Sequence, residues 1–181
     1  MTLLILGLVL WIAAHLFKRV APDAREALGN PGKGLVAVSI LGGLVLMIIG
    51  YQQADYVHVW APPTWGVHLN NLLMLVAVFF FALSHSKGRL RARFRHPMLA
   101  SVKIWALAHL LVRGDLASIL LFGGLLAWAV VSVIAINRAA PWVPPAPGEA
   151  RRDVILVGIT LVAFVAIAAI HYWLGVSPFP G

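Results

Sequence analysis

Seven histidines and no cysteine delimit the chemistry open to this chain of 181 residues. Five of the histidines, His15, His68, His85, His109 and His171, fall inside or at the ends of long apolar stretches, while His58 and His96 fall in connections. A hydrocarbon core holds no water to satisfy an imidazole, so such a side chain needs an acceptor, a proton path, a metal or a cofactor. The lack of cysteine removes disulfides, thiolate metal sites, iron–sulfur clusters and cysteine nucleophiles. Carboxylates are nearly absent from the apolar stretches, which disfavours a carboxylate-rich metal site.

Context ranks the histidines. His109 follows Trp105 by one helical turn inside Ile104-Trp105-Ala106-Leu107-Ala108-His109-Leu110-Leu111, with no acidic residue in that stretch to pair with it. His15 repeats the spacing as Trp11-x-x-x-His15, and His171 sits on an alanine-rich face that lets something bulky approach. These three are the candidate metal or cofactor ligands; a backbone carbonyl as the sole partner of His109 is the competing reading. Interfacial water or headgroups satisfy His68 and His85 at helix ends, and His96 joins a basic collar in Arg95-His96-Pro97. A neutral imidazole pair suits haem iron, and apolar walls suit a porphyrin. Trp11, Trp105 and Trp128 are candidates to line such a site or, alternatively, to face lipid.

The elements that must position these residues are membrane helices. The chain is 61% hydrophobic and 11% charged, whereas soluble domains carry about 25% charged residues. Apolar stretches predict an all-α membrane protein, a single domain over 1–181 with six transmembrane helices. They span about 2–17, 34–51, 67–86, 98–112, 116–137 and 154–174. A full crossing takes ~17–25 residues, so the first and fourth are short. The fourth also contains Lys103 and is the candidate for a re-entrant segment. Because no basic region precedes the first helix and Lys18-Arg19 follow it, it reads as retained rather than as a cleaved signal.

The net charge of +8 invites a nucleic-acid reading, but the cations sit at helix ends, where anionic lipid attracts them. Lys18, Arg19, Arg25 and Lys33 lie between helices one and two, and Lys87, Arg89, Arg91, Arg93 and Arg95 between three and four. Arg138, Arg151 and Arg152 lie between five and six, so six crossings put twelve of the fourteen basic residues on one side. The positive-inside rule makes that side cytoplasmic and both termini periplasmic, in the bacterial inner membrane. Tyr51, Tyr56, Trp60 and Trp65 then form an outer aromatic belt around Pro62-Pro63. Gly42-Gly43, Gly123-Gly124 and Ala163, Ala166, Ala168 and Ala169 are predicted close helix contacts.

Arg95-His96-Pro97-Met98, the Ile104–Leu111 block and Arg113-Gly114-Asp115-Leu116-Ala117-Ser118 together resemble the signature of the NnrU family. Ala14-His15 in the opening helix and Ile170-His171-Tyr172-Trp173-Leu174-Gly175-Val176 also fit, so the resemblance spans essentially the whole chain. This bacterial membrane family is associated with denitrification and is related to 15-cis-ζ-carotene isomerase. The resemblance implies a non-covalent haem b held by histidines. It also implies either redox chemistry linked to nitrite and nitric oxide or isomerisation of a small apolar substrate. Carried over by position, the ligand candidates are His109 and His15, with His171 a third; Trp105, Arg95 and His96 are further candidate contacts. If haem lies at the basic end, the Lys87–Arg95 run and Lys18-Arg19 are placed to pair with its propionates.

Two other classes compete. One is a non-catalytic accessory or assembly factor for a respiratory or denitrification membrane complex, whose glycine and alanine stripes supply a packing surface. The other is a membrane methyltransferase, because Arg95-His96-Pro97 at a helix entrance resembles the motif of enzymes acting on isoprenylcysteine or phospholipids. Against it, Met98, Leu99 and Ala100 stand where that motif has Tyr and Gly, and Arg151-Arg152-Asp153 does not supply the usual acidic pair. Membrane lipids are expected partners in every case, and nucleic acid in none.

Overall fold

In a computed structural model that describes residues 1–179, the chain is a helical bundle without strands among the described residues. Seven α-helices follow one another: α1 Thr2–Val20, α2 Pro22–Ala27, α3 Pro31–Gln52, α4 Gly66–His85, α5 Pro97–Leu110, α6 Leu116–Ala139 and α7 Ala150–Trp173. A 3-10 turn, Leu90–Arg93, lies between α4 and α5. Among the described residues five helices are long and apolar enough to cross a bilayer, which makes this a membrane protein. The sixth predicted span is α5. Its 14 residues reach about 21 Å at ~1.5 Å per residue, short of a hydrocarbon core of ~30 Å. Half-buried Lys103 lies in it, and Pro97 at its first position fixes where it starts.

Contacts between helices order them α3, α1, α6, α5, α4, α7, with α7 packed chiefly on α4. The core is the seam of α1, α3 and α6, built from Leu4, Leu8, Met47, Ala117, Leu125, Trp128 and Ala129. Many large apolar residues point outward instead, such as Val38 at 68% and Val162 at 71% exposure. A soluble protein rarely exposes apolar surface on this scale; a bilayer covers it. Without a hydrophobic driving force between helices in lipid, close packing has to hold them, and small residues permit it. A Cβ on Gly7 would lie 2.6 Å from the backbone N of Met47, and one on Gly43 would lie 3.0 Å from that of Trp11. Gly43 and Gly124 therefore are contact points as expected, Gly124 lying against Leu8. Gly123 meets nothing, and Gly7 and Gly50 carry the seam unforeseen.

The bundle has two dissimilar ends. At one, Lys18, Arg19, Lys87, the Leu90–Arg93 turn and the start of α7 gather, and the Arg95-His96-Pro97 segment is fastened to the end of α6. Arg95 Nη2 donates to the carbonyls of Ile136 at 3.2 Å and Ala140 at 2.6 Å, and His96 Nε2 lies 2.8 Å from Asn137 Oδ1. A guanidinium on the free carbonyls of a helix C-terminus satisfies orphan acceptors and opposes the negative end of the dipole. Asp153, in the first turn of α7, accepts from the backbone N–H groups of Arg89 and Leu90 at 3.2 Å each. At the other end the 53–65 connection lies along the α5–α6 turn. Val59 and Trp60 donate to the Gly114 carbonyl at 2.8 and 3.1 Å, and Leu116 donates to that of Val57 at 2.9 Å.

Candidate functional site

A cavity of about 800 Å³ opens beside α7 at the second of these ends. Sites for small molecules and cofactors usually measure ~300–1,000 Å³ and are mostly apolar with a few placed polar groups. Met74 of α4, Phe122 of α6 and Phe164 and Ile167 of α7 form apolar wall. His109 of α5 and His171 of α7 both line it, and Asn70, Asn71 and Arg113 make its polar rim. Tyr51 and Gln52 at the end of α3 reach it as well, and so does the tail after α7, where Phe179 lies 6.4 Å from Phe164 between ring centroids.

The two imidazoles are presented in the same way. His109 Nδ1 donates to the carbonyl of Trp105 at 2.9 Å, and His171 Nδ1 donates to that of Ile167 at 2.8 Å. A carbonyl can only accept, so the proton sits on Nδ1, and a neutral ring then carries its free lone pair on Nε2. This is the arrangement that fixes tautomer and orientation in metal-binding histidines. The His109 ring is further held by stacking on Phe122, with centroids 4.5 Å apart and planes at 25°, and by Trp105 at 5.2 Å. Trp105 itself packs against Phe122 at 5.0 Å rather than lining the cavity, so it steadies the histidine from behind.

His15 shares the local device and not the place. Its Nδ1 donates to the Trp11 carbonyl at 2.9 Å, yet its ring is enclosed by Trp11 at 4.3 Å and Trp128 at 4.7 Å on the α1–α6 seam. The buried indole N–H groups of both tryptophans have no acceptor. Neither His15 nor His68 lines the cavity, and among the described residues no three His, Cys, Asp or Glu side chains converge. Of the other two candidate ligands, His15 and His171, it is His171 that lines the cavity with His109. Arg95 and His96 lie at the opposite end, engaged with α6.

Several lining residues escape a reading of the sequence. Asn70-Asn71 is the most legible of them, because two adjacent carboxamides in an apolar helix are costly unless used. Asn70 Oδ1 is buried there without a partner, and Asn70 Nδ2 donates to Asn71 Oδ1 at 3.3 Å. The Arg113–Ser118 motif has a physical reading too. Gly114 is buried where a Cβ would run into the carbonyl of Trp60. Asp115 caps α6, accepting from Ser118 N at 2.9 Å and Ser118 Oγ at 2.7 Å. Since the Ser118 proton is committed to the carboxylate, Tyr51 must be the donor in its 2.8 Å bond to Ser118 Oγ. That chain ties α3 to α6 at the mouth of the cavity. Burial raises the Asp115 carboxyl, but the Ser118 hydroxyl and N–H, its own N–H and the Arg113 charge together outweigh burial and leave it below its ordinary value.

An NnrU protein family model matches residues 3–178. No curated protein and no solved structure matches the chain.

Proposed function

The chain belongs to the NnrU family, and from that premise we propose that it is a haem b protein of the inner membrane whose prosthetic group occupies the α4–α7 cavity. The observation that carries the reading is the pairing of His109 and His171 in one apolar cavity of about 800 Å³, each with Nδ1 committed to a carbonyl. His109 and His171 would supply the imidazole nitrogens. Phe122, Phe164, Met74 and Ile167 would meet the porphyrin, and Arg113 with Asn70 and Asn71 would hold its propionates. Bound there, haem supplies one-electron chemistry and, if a ligand leaves, an open iron position. The protein's own part is to exclude water with the aromatic wall and to hold both rings in one tautomer. It also neutralises the carboxylates at the rim with Arg113.

This site serves redox chemistry linked to nitrite and nitric oxide or isomerisation of a small apolar substrate, as the family's associations suggest. The bilayer orientation proposed with it has six crossings and both termini periplasmic. In that arrangement α5 spans with its short helix, and the Arg95 and Asp153 attachments lie on the cytoplasmic side. Engagement of Arg95, His96 and Asp153 in fastening helix ends weighs against their use as a methyltransferase site.

The test is an absorption spectrum of the detergent-purified protein, oxidised and dithionite-reduced, with a pyridine haemochrome assay. Near-stoichiometric b-type bands are expected, lost in His109→Ala and His171→Ala and retained in His15→Ala. Protein expressed with added haem and still colourless would refute the reading and favour the accessory-factor alternative.

A further inference from the structure

A second cavity, about 380 Å³, runs between α4 and α7 at the basic end of the bundle and shares no lining residue with the first. Its composition changes along its length. Lys87, Arg152 and His85 stand at one end, whereas Val78, Phe81 and Ala163 lie toward the other. No carboxylate lines it. Asp153, the nearest acid in sequence, accepts from the Arg89 and Leu90 N–H groups. Arg152 reaches Glu149 only at 4.0 Å, with both side chains well exposed, a contact of little strength.

We propose that this groove binds one anionic phospholipid, its phosphate between Lys87 and Arg152 and an acyl chain along the apolar floor. Dimensions favour a lipid over a free anion. Arg152 and Ala163 are eleven residues apart on α7, about 16 Å at ~1.5 Å per residue, close to half of a ~30 Å hydrocarbon core. The groove therefore spans one leaflet from headgroup level to midplane. Its charge complements the anionic lipid that basic residues at helix ends recruit. Because α7 packs chiefly on α4, a chain lying in this groove would contact α7 and the helix that chiefly holds it.

Native mass spectrometry of the full chain tests this, with equimolar phosphatidylglycerol and phosphatidylcholine of identical acyl chains. The wild-type protein should retain one phosphatidylglycerol with a preference on the order of tenfold, the scale expected of two basic side chains near an anionic surface. Lys87→Ala/Arg152→Ala should bring the two lipids to parity, while Arg19→Ala/Arg138→Ala should leave the preference intact. Ala163→Phe, which fills the floor and keeps both charges, should lower retention of either lipid and keeps the test decisive if the double variant does not fold. An unselective wild type, an Ala163→Phe protein that retains lipid normally, or displacement of the lipid by millimolar inorganic phosphate would each overturn the proposal.

Discussion

Replacing Asp115 by alanine should loosen the mouth of the main cavity, and the cost can be worked from three hydrogen bonds. The carboxylate accepts from Ser118 N at 2.9 Å as the cap of α6, and loss of such a cap costs ~0.5–2 kcal/mol. It also accepts from Ser118 Oγ at 2.7 Å, a hydroxyl on a fully buried residue. Without that acceptor, Ser118 and Tyr51 are left to share one bond between two hydroxyls, which adds roughly 1–2 kcal/mol for the unmet group. The sum, about 1.5–4 kcal/mol, corresponds to a fall in Tm of roughly 3–16 °C for a chain of this size. Asp115→Asn keeps an acceptor and caps nearly as well, so it should lose much less. Thermal unfolding in one detergent measures both variants, and Asp115→Ala/Ser118→Ala completes a double-mutant cycle with a coupling of ~0.5–3 kcal/mol. The acid limb gives an independent check. A carboxyl held below its ordinary 3.8 in the fold stabilises fully above that value, and the contribution disappears as pH falls through the lower folded value. Asp115→Asn should flatten that part of the profile. Equal melting temperatures for Asp115→Ala and Asp115→Asn, or no coupling to Ser118, would refute the reasoning.

Gly114→Ala should be severe for its size, because the new Cβ meets the Trp60 backbone carbonyl and only a shift of the 53–65 connection relieves it; loss of 2 kcal/mol or more in thermal unfolding is expected. Arg95→Ala removes a charged donor from the Ile136 and Ala140 carbonyls, so hydrogen exchange should rise in the last turn of α6 while Ser118 at its first turn stays protected. Ala168→Phe projects an aromatic ring into the cavity beside His171 and should reduce haem content in the haemochrome assay with little change in Tm, since it fills space that the fold leaves open.

Much of this protein was legible without coordinates. Runs of about twenty apolar residues with cations at their ends identify membrane helices, because lipid forces each span to satisfy its own backbone. Helix positions followed to within a few residues, as with Gly66–His85 against an expected 67–86. The short helix Pro22–Ala27 and the Leu90–Arg93 turn were not foreseen, for they are too short to show a hydrophobic period. The backbone carbonyl weighed as the competing partner of His109 is present: across the Trp–His spacing of i and i+4 the ring reaches the carbonyl one turn back, as it does at His15 and, without a tryptophan, at His171.

What that spacing did not contain is which histidine meets which. His15 and His109 look alike along the chain, yet α1 packs beside α3 and α6 and encloses the first between two indoles, while α5 turns the second into a cavity bounded by α7. The Arg95-His96-Pro97 segment likewise reads as chemistry in sequence and acts as a fastener in space, because the end of α6 arrives beside it with its carbonyls unpaired. Hydropathy and charge determine that helices form and span, since both act residue by residue against lipid. Helix order, and with it the partner of each imidazole, depends on which small residues let two backbones approach, and that is a property of pairs of surfaces rather than of any one stretch of chain.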